Sequence, residues 1–186
     1  MQVALIALLL SLSSAVAFAS NAELSRLAAE DQAVRSGKAD TSSDEARRIR
    51  VMELLAAGDV ATPQDKFNAG LVLQHTGLEF CEGRLRSISP ENYLLANYLF
   101  VEALDGGFED ARGMVAASMD RYLSFTSGVQ RYGTNRIVDQ STGEELLVPI
   151  DRSVSDEERR KYGVPPLNEL LEKWREQEPP VGGVDG

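Results

Sequence analysis

Apolar positions return at helical spacing, every three or four residues, along most of the chain. The spacing predicts a first helix over Asn21 to Arg35, with Leu24, Leu27 and Ala28 on one face. Ser36 to Ser43 is polar and interrupts the pattern. Ser42-Ser43-Asp44-Glu45 then reads as a capping box, in which a hydroxyl reaches forward to a free backbone N–H and the Glu reaches back. The helix it opens carries Ile49, Met52, Leu55 and Ala56 on one side. Gly58 is placed to stop it in a left-handed conformation. Thr62-Pro63 opens the next, with Thr as N-cap and Pro at the first position, where its missing N–H costs nothing. Phe67, Gly70, Leu71, Val72 and Leu73 make that helix apolar over a wide arc. It is expected to end at Gln74-His75-Thr76-Gly77, with Gly77 as the stop.

Leu78 to Ser89 is expected to be a connection with a partial turn of helix. Ser89-Pro90 repeats the opening signal for a helix to Asp105. Tyr93, Leu94, Leu95, Tyr98, Leu99, Phe100 and Leu104 make it apolar on most sides, as in a helix packed from two directions. Another helix is predicted from Glu109 to Phe125, with Ala111, Val115, Met119 and Leu123 in one stripe. Ala96, Ala103, Gly107 and Ala111 put small residues where two antiparallel helices would cross. After Gly128 the period changes. Asn135 to Val138 and Glu145 to Val148 flank a polar segment with Gly143, which predicts a β-hairpin. Two strands are marginal alone, so the hairpin should lie against the helices. Ser155-Asp156-Glu157-Glu158 opens a short helix ending at Gly163. Pro165-Pro166 starts a last one, with Leu167, Leu170, Leu171 and Trp174. The expected fold is mostly α. Two antiparallel helical pairs, Asp44 to Thr76 and Pro90 to Phe125, form a short repeat-like array, with a small β-hairpin and C-terminal helices added, in a single domain over 20–178.

Val3 to Leu12 is a short apolar run, and Ala17-Phe18-Ala19 supplies small residues at the cleavage positions. This predicts a secretory signal over 1–19, cut between Ala19 and Ser20, and an exported protein, periplasmic or secreted. No later segment is long and apolar enough to span a bilayer, so no stable membrane insertion is expected after cleavage. Pro179 to Gly186 is expected to be a disordered tail. The 186 residues, 43% of them hydrophobic, suffice for one domain with its own core. A net charge of -10 argues against nucleic acid as a partner. The basic clusters Arg47-Arg48-Ile49-Arg50 and Arg159-Arg160-Lys161 are mixed with acids at helical spacing and read as solvated helix faces. A single cysteine, Cys81, excludes an intramolecular disulfide and reads as a small side chain rather than a nucleophile.

Three polar segments carry the candidate chemistry: Gln74-His75, Asp120-Arg121, and Gln130-Arg131-Tyr132-Gly133-Thr134-Asn135. His75 is the only histidine. In the last turn of a helix its ring can bond free carbonyls and favour the negative end of the dipole. It can also act as a general base, with Asp120 orienting it. Asp120 and Arg121 are adjacent, so on a helix they point to different sides. Asp120 is expected to accept from the Gln130 to Thr134 turn, and Arg121 to hold a carboxylate such as Asp31. Tyr132-Gly133-Thr134 suggests a backbone turn that other residues resist. No P-loop, GxSxG, HExxH, dinucleotide fingerprint or metal-ligand spacing is present, so no cofactor and no metal is expected. Two readings follow. One is a non-enzymatic binding or scaffolding domain for a protein or small-molecule partner. The other is a small hydrolase-like enzyme using His75 with Asp120, and Gln130, Tyr132 or Thr134 as orienting donors.

In this order the segments resemble a bacterial family of unknown function with QH, DR and Q-x-[YF]-G-T-Q motifs. The residues that carry the likeness are Gln74-His75, Asp120-Arg121, Gln130-x-Tyr132-Gly133-Thr134, Pro149-Ile150 and Gly163 to Leu167, with Asp31-Gln32-x-x-Arg35 early in the chain. The resemblance covers roughly Asp31 to Leu171 and implies no activity. It departs at Asn135, where the family has Gln, and in a longer Leu78 to Ser89 connection. If that last amide touches a ligand, Asn reaches about one methylene less far. Pro90 to Leu123 is similar, over one unit, to a Sel1-like helical pair.

Overall fold

A computed structural model describes residues 19–81, 84–139 and 142–177. The expected signal, but for Ala19, and the expected tail lie outside the described residues. So do Gln140 and Ser141 in the second hairpin's turn. The chain is mostly helical: α1 Ala22–Arg35, α2 Asp44–Ala57, α3 Pro63–Leu73, α4 Glu91–Asp105, α5 Arg112–Thr126, α6 Asp156–Lys161 and α7 Leu167–Lys173. A short 3₁₀ turn, Glu109–Ala111, leads into α5. Two antiparallel strand pairs are added, β1 Leu78–Cys81 with β2 Arg84–Ser87, and β3 Arg136–Val138 with β4 Glu145–Leu147. No helix among the described residues is long and apolar enough to cross a membrane.

The first core is built by α1 to α5. Leu24 and Leu27 of α1, Val51 and Leu54 of α2, Val72 and Leu73 of α3, and Leu99 and Phe100 of α4 meet in it. α3 is its centre, packing on α1, α2 and α4, while α4 also packs on α5. α3 and α4 approach closely at Gly70. A Cβ there would lie 2.7 Å from the Phe100 ring, nearer than van der Waals contact allows. The expected small residues Ala96, Ala103 and Ala111 are all buried in this core. A second core lies on the other side of α5, where Ala116 meets Tyr132, Leu147, Ile150, Val154, Val164 and Leu170. The β3–β4 hairpin therefore does lie against the helices, through Leu147.

Several expectations need correction. The buried face of α2 is Arg47, Val51 and Leu54, not Ile49, Met52 and Leu55-Ala56. Ile49 is 54% exposed. The true stripe starts with a charged residue, whose aliphatic stem packs while its guanidinium is tied to Asp44. So the first basic cluster is not simply a solvated face. Neither is the second, since Arg159 is fully buried. The capping box at Ser42 does not form. Ser42 bonds Asp40 instead, and Ser43, the N-cap, makes no side-chain cap. The reciprocal box forms at Thr62 and Asp65. Gly77 is not left-handed, and α3 stops earlier, at Leu73 with Gln74 as cap. Ser89 is not the N-cap of α4, which is Pro90, without a side-chain bond. Leu94 and Tyr98 on α4 face water, so that helix is not buried on most sides.

The Leu78 to Ser89 connection is a β-hairpin rather than a partial helical turn. Its register pairs Leu78 with Ser87, Glu79 with Arg86 and Phe80 with Leu85. Alternation puts Leu78, Phe80 and Leu85 on one face and the charged pair on the other. That apolar face is in water, with Phe80 76% exposed. Cys81 ends β1, part-buried and free.

Candidate functional site

The structure uses the three polar segments in two separate places. The first is the turn after α5. Asp120 sits on α5 with no exposed surface. Its Oδ1 accepts the backbone N–H of Arg131 at 2.7 Å and of Tyr132 at 2.7 Å. Its Oδ2 accepts the N–H of Thr134 at 2.8 Å and the Thr134 hydroxyl at 2.7 Å. Both oxygens are thus filled by the turn, as the sequence led us to expect. Gly133 bends the chain between them with φ +91, and a Cβ there would meet Leu170 at 2.7 Å. Only glycine tolerates both the angle and the space.

Gln130 closes the turn from within. Its amide nitrogen donates to the carbonyls of Asn135 and Val148, and its amide oxygen accepts from the Asn135 N–H. The Asn135 side chain donates to Ser124 Oγ at 3.0 Å, back on α5. The shorter amide at this position therefore serves the fold. Opposite Asp120, the buried Arg159 of α6 donates to the carbonyls of Tyr132 and Asp151. Burial pulls its guanidinium below the ordinary value, against the carboxylates of Asp156, Asp120 and Asp151. The turn is held by a carboxylate on its N–H side and a guanidinium on its carbonyl side. Sequence reading missed Arg159, which stands in the charged run Asp156 to Lys161 and carries no apolar sign of its burial.

Burial pushes the Tyr132 phenol up to about 12. Tyr93 is also raised, mainly by burial. A tyrosine whose folded value lies above its unfolded one stabilises the fold fully below pH ~10 and loses that contribution as pH rises through the folded value. Ultraviolet titration of the native protein should show the Tyr93 and Tyr132 phenols ionising above pH ~10, the ordinary tyrosine value. Ionisation of both near pH ~10, without unfolding, would contradict this burial.

The second place is the C-terminal end of α3. The last carbonyls of a helix have no intrahelical partner. Just past that end, two guanidiniums take the carbonyls of the cap residue Gln74 and of His75. Arg121 Nη1, from α5, donates to the Gln74 carbonyl at 3.1 Å. Arg48 Nη1, from α2, donates to the His75 carbonyl at 2.8 Å. Arg121 also lies over the Tyr93 ring, 5.9 Å from its centroid. Burial lowers the Arg121 guanidinium, the Tyr93 phenol opposes that, and the charge of Arg35 adds to it. Arg121 and Arg48 both draw the Tyr93 phenol downward, against its burial. The guanidiniums of α1, α2 and α5 thus gather around one helix end.

Two expected partnerships are corrected here. Arg121 does not hold Asp31. His75 is not oriented by Asp120, but its Nδ1 lies 2.7 Å from Asp31 Oδ2 on α1. Asp31 is buried and also receives Gln32 Nε2 and, at 3.7 Å, Arg35. Arg35 is shared with Asp44, which Arg47 binds as well. Arg48 and Arg121 have no carboxylate partner among the described residues. The Gln74 side chain is 5% exposed, and its Oε1 is buried without a hydrogen bond. Among the described residues no three of His, Cys, Asp and Glu gather as metal ligands would.

Gln74, His75 and Arg121 thus share one site with Arg48, which sequence reading set aside as a solvated charge. Asp120, Gln130, Tyr132, Thr134 and Asn135 belong to the other. No protein-family model, no curated protein and no solved structure matches the chain.

Proposed function

We propose that this protein is a non-enzymatic binding domain whose ligand carries an oxyanion, a carboxylate or phosphoryl group, held by Arg48 and Arg121 at the end of α3. One observation carries the reading: both guanidiniums are half-buried and neither meets a carboxylate among the described residues. The chain as a whole has a net charge of -10, so carboxylates are in ample supply. Each guanidinium has about five N–H donors in a planar fork that fits carboxylate and phosphate. Carbonyl capping uses one donor of each. The enzyme alternative loses its pair, because Asp120 is filled by the turn and His75 is bonded to Asp31.

We also propose that the domain works outside the cytoplasm, after a secretory signal, and that it belongs to the family with QH, DR and Q-x-Y-G-T segments. Support for the second point is that the segments work together: QH meets DR through Arg121, and DR meets the turn through Asp120.

Calorimetric titration with acetate, and separately with inorganic phosphate, tests the proposal. At least one should bind at about 1 mM, weakening with salt as an ion pair does. Arg48→Gln and Arg121→Gln should each weaken it roughly tenfold, the worth of one charge-assisted contact. Absence of binding by both anions, or unchanged affinity in both variants, would overturn it.

A further inference from the structure

Arg48 also lies on a groove of about 650 Å3 between α2 and the segment that follows β2. That volume is in the range of small-molecule sites. Ile49, Met52 and Ile88 line it beyond the guanidinium. All three are exposed, Ile88 to 57%. We infer that the ligand is amphipathic, with one anionic head at Arg48 and an unbranched apolar tail along Ile49, Met52 and Ile88. This rests on the oxyanion reading above and adds the rest of the ligand.

Three observations favour that occupant. The cation sits at the groove itself, so head and tail sites are continuous. Of the two acids on the same wall, Glu53 is already paired with Arg50, which offsets its repulsion of an anionic head. The apolar stretch offers few hydrogen-bond partners, and of its polar neighbours Asn92 already donates to Thr76. A peptide would leave backbone groups unsatisfied there, at a cost an alkyl chain does not meet.

The test titrates the full chain with acetate, decanoate, decyl phosphate and decanol, all below their aggregation concentrations. Decanoate or decyl phosphate should bind about 100-fold tighter than its tail-less counterpart, acetate or phosphate, since each buried methylene adds to transfer out of water. Whichever binds tighter identifies the head as carboxylate or phosphoryl. Met52→Ser and Ile88→Ser, both at the surface, should remove most of that gain and leave acetate or phosphate binding as it was. Decanol should bind more weakly than either anion. If the long anions bind no tighter than the short ones, the tail inference falls and the oxyanion reading stands. A gain that survives both Ser variants, or decanol binding as tightly as decanoate, also overturns the inference. If none of the anions binds, the oxyanion reading falls with it.

Discussion

Asp120→Ala should cost about 4 kcal/mol of folding stability, a large part of the roughly 5–15 kcal/mol a domain has. The substitution removes one side chain and strands four donors. The Tyr132 N–H is buried, and those of Arg131 and Thr134 are part-buried. Each orphaned donor costs about 1–3 kcal/mol when water cannot reach it, and less where it can. Asp120→Asn keeps the shape but turns one acceptor into a donor, facing either two N–H groups or Thr134. It should still cost about half as much, because one oxygen remains. Thr134→Val removes only the hydroxyl bond and should cost about 1 kcal/mol. Urea unfolding of the three variants gives the order directly. A cost below about 1 kcal/mol for Asp120→Ala would mean the network does not hold the turn.

Arg159→Ala is expected to be comparably severe, at about 3–5 kcal/mol, the scale for removing one partner of a buried charged network. Three losses combine. The Tyr132 carbonyl loses its donor, Asp120 loses a nearby positive charge, and the long stem leaves a void between the turn and α6. Arg159→Met refills the void and should recover part of the cost, but not the carbonyl bond. Asp120 and Arg159 grip the same turn from opposite sides, so the double variant should cost less than the sum of the single ones. Additive costs would show that the two residues act independently. Calorimetric unfolding of all four proteins measures that coupling.

What was legible in the sequence followed from local rules. Helix starts at Thr62-Pro63 and Ser155, the β3–β4 hairpin, and the bond between Asp120 and its turn all rest on nearby residues. What was missed depends on partners far along the chain. His75 finds Asp31, 44 residues earlier, and both are polar residues in otherwise ordinary helices. Arg121 finds a carbonyl rather than a carboxylate, and nothing in its neighbours says so. The α2 face was misread because apolar residues were counted and arginine stems were not. Arg47 and Arg159 are both buried by stems that reach through the packing. Leu78 to Ser87 went unread as strands because its alternation is short and its apolar face is left largely in water. That failure is informative. Sequence patterns report burial within a fold, and apolar residues left outside it are the ones free to meet a ligand.

The claim that recognition sits at the end of α3, and that the Gln130 to Asn135 turn is structural, is tested most directly by nuclear magnetic resonance. Acetate and phosphate would be titrated into nitrogen-labelled protein while backbone and arginine side-chain signals are followed. The account predicts shifts at Arg48, Gln74, His75 and Arg121, and none at Arg131, Tyr132 and Thr134. Shifts centred on the turn, with the α3 end unmoved, would contradict it.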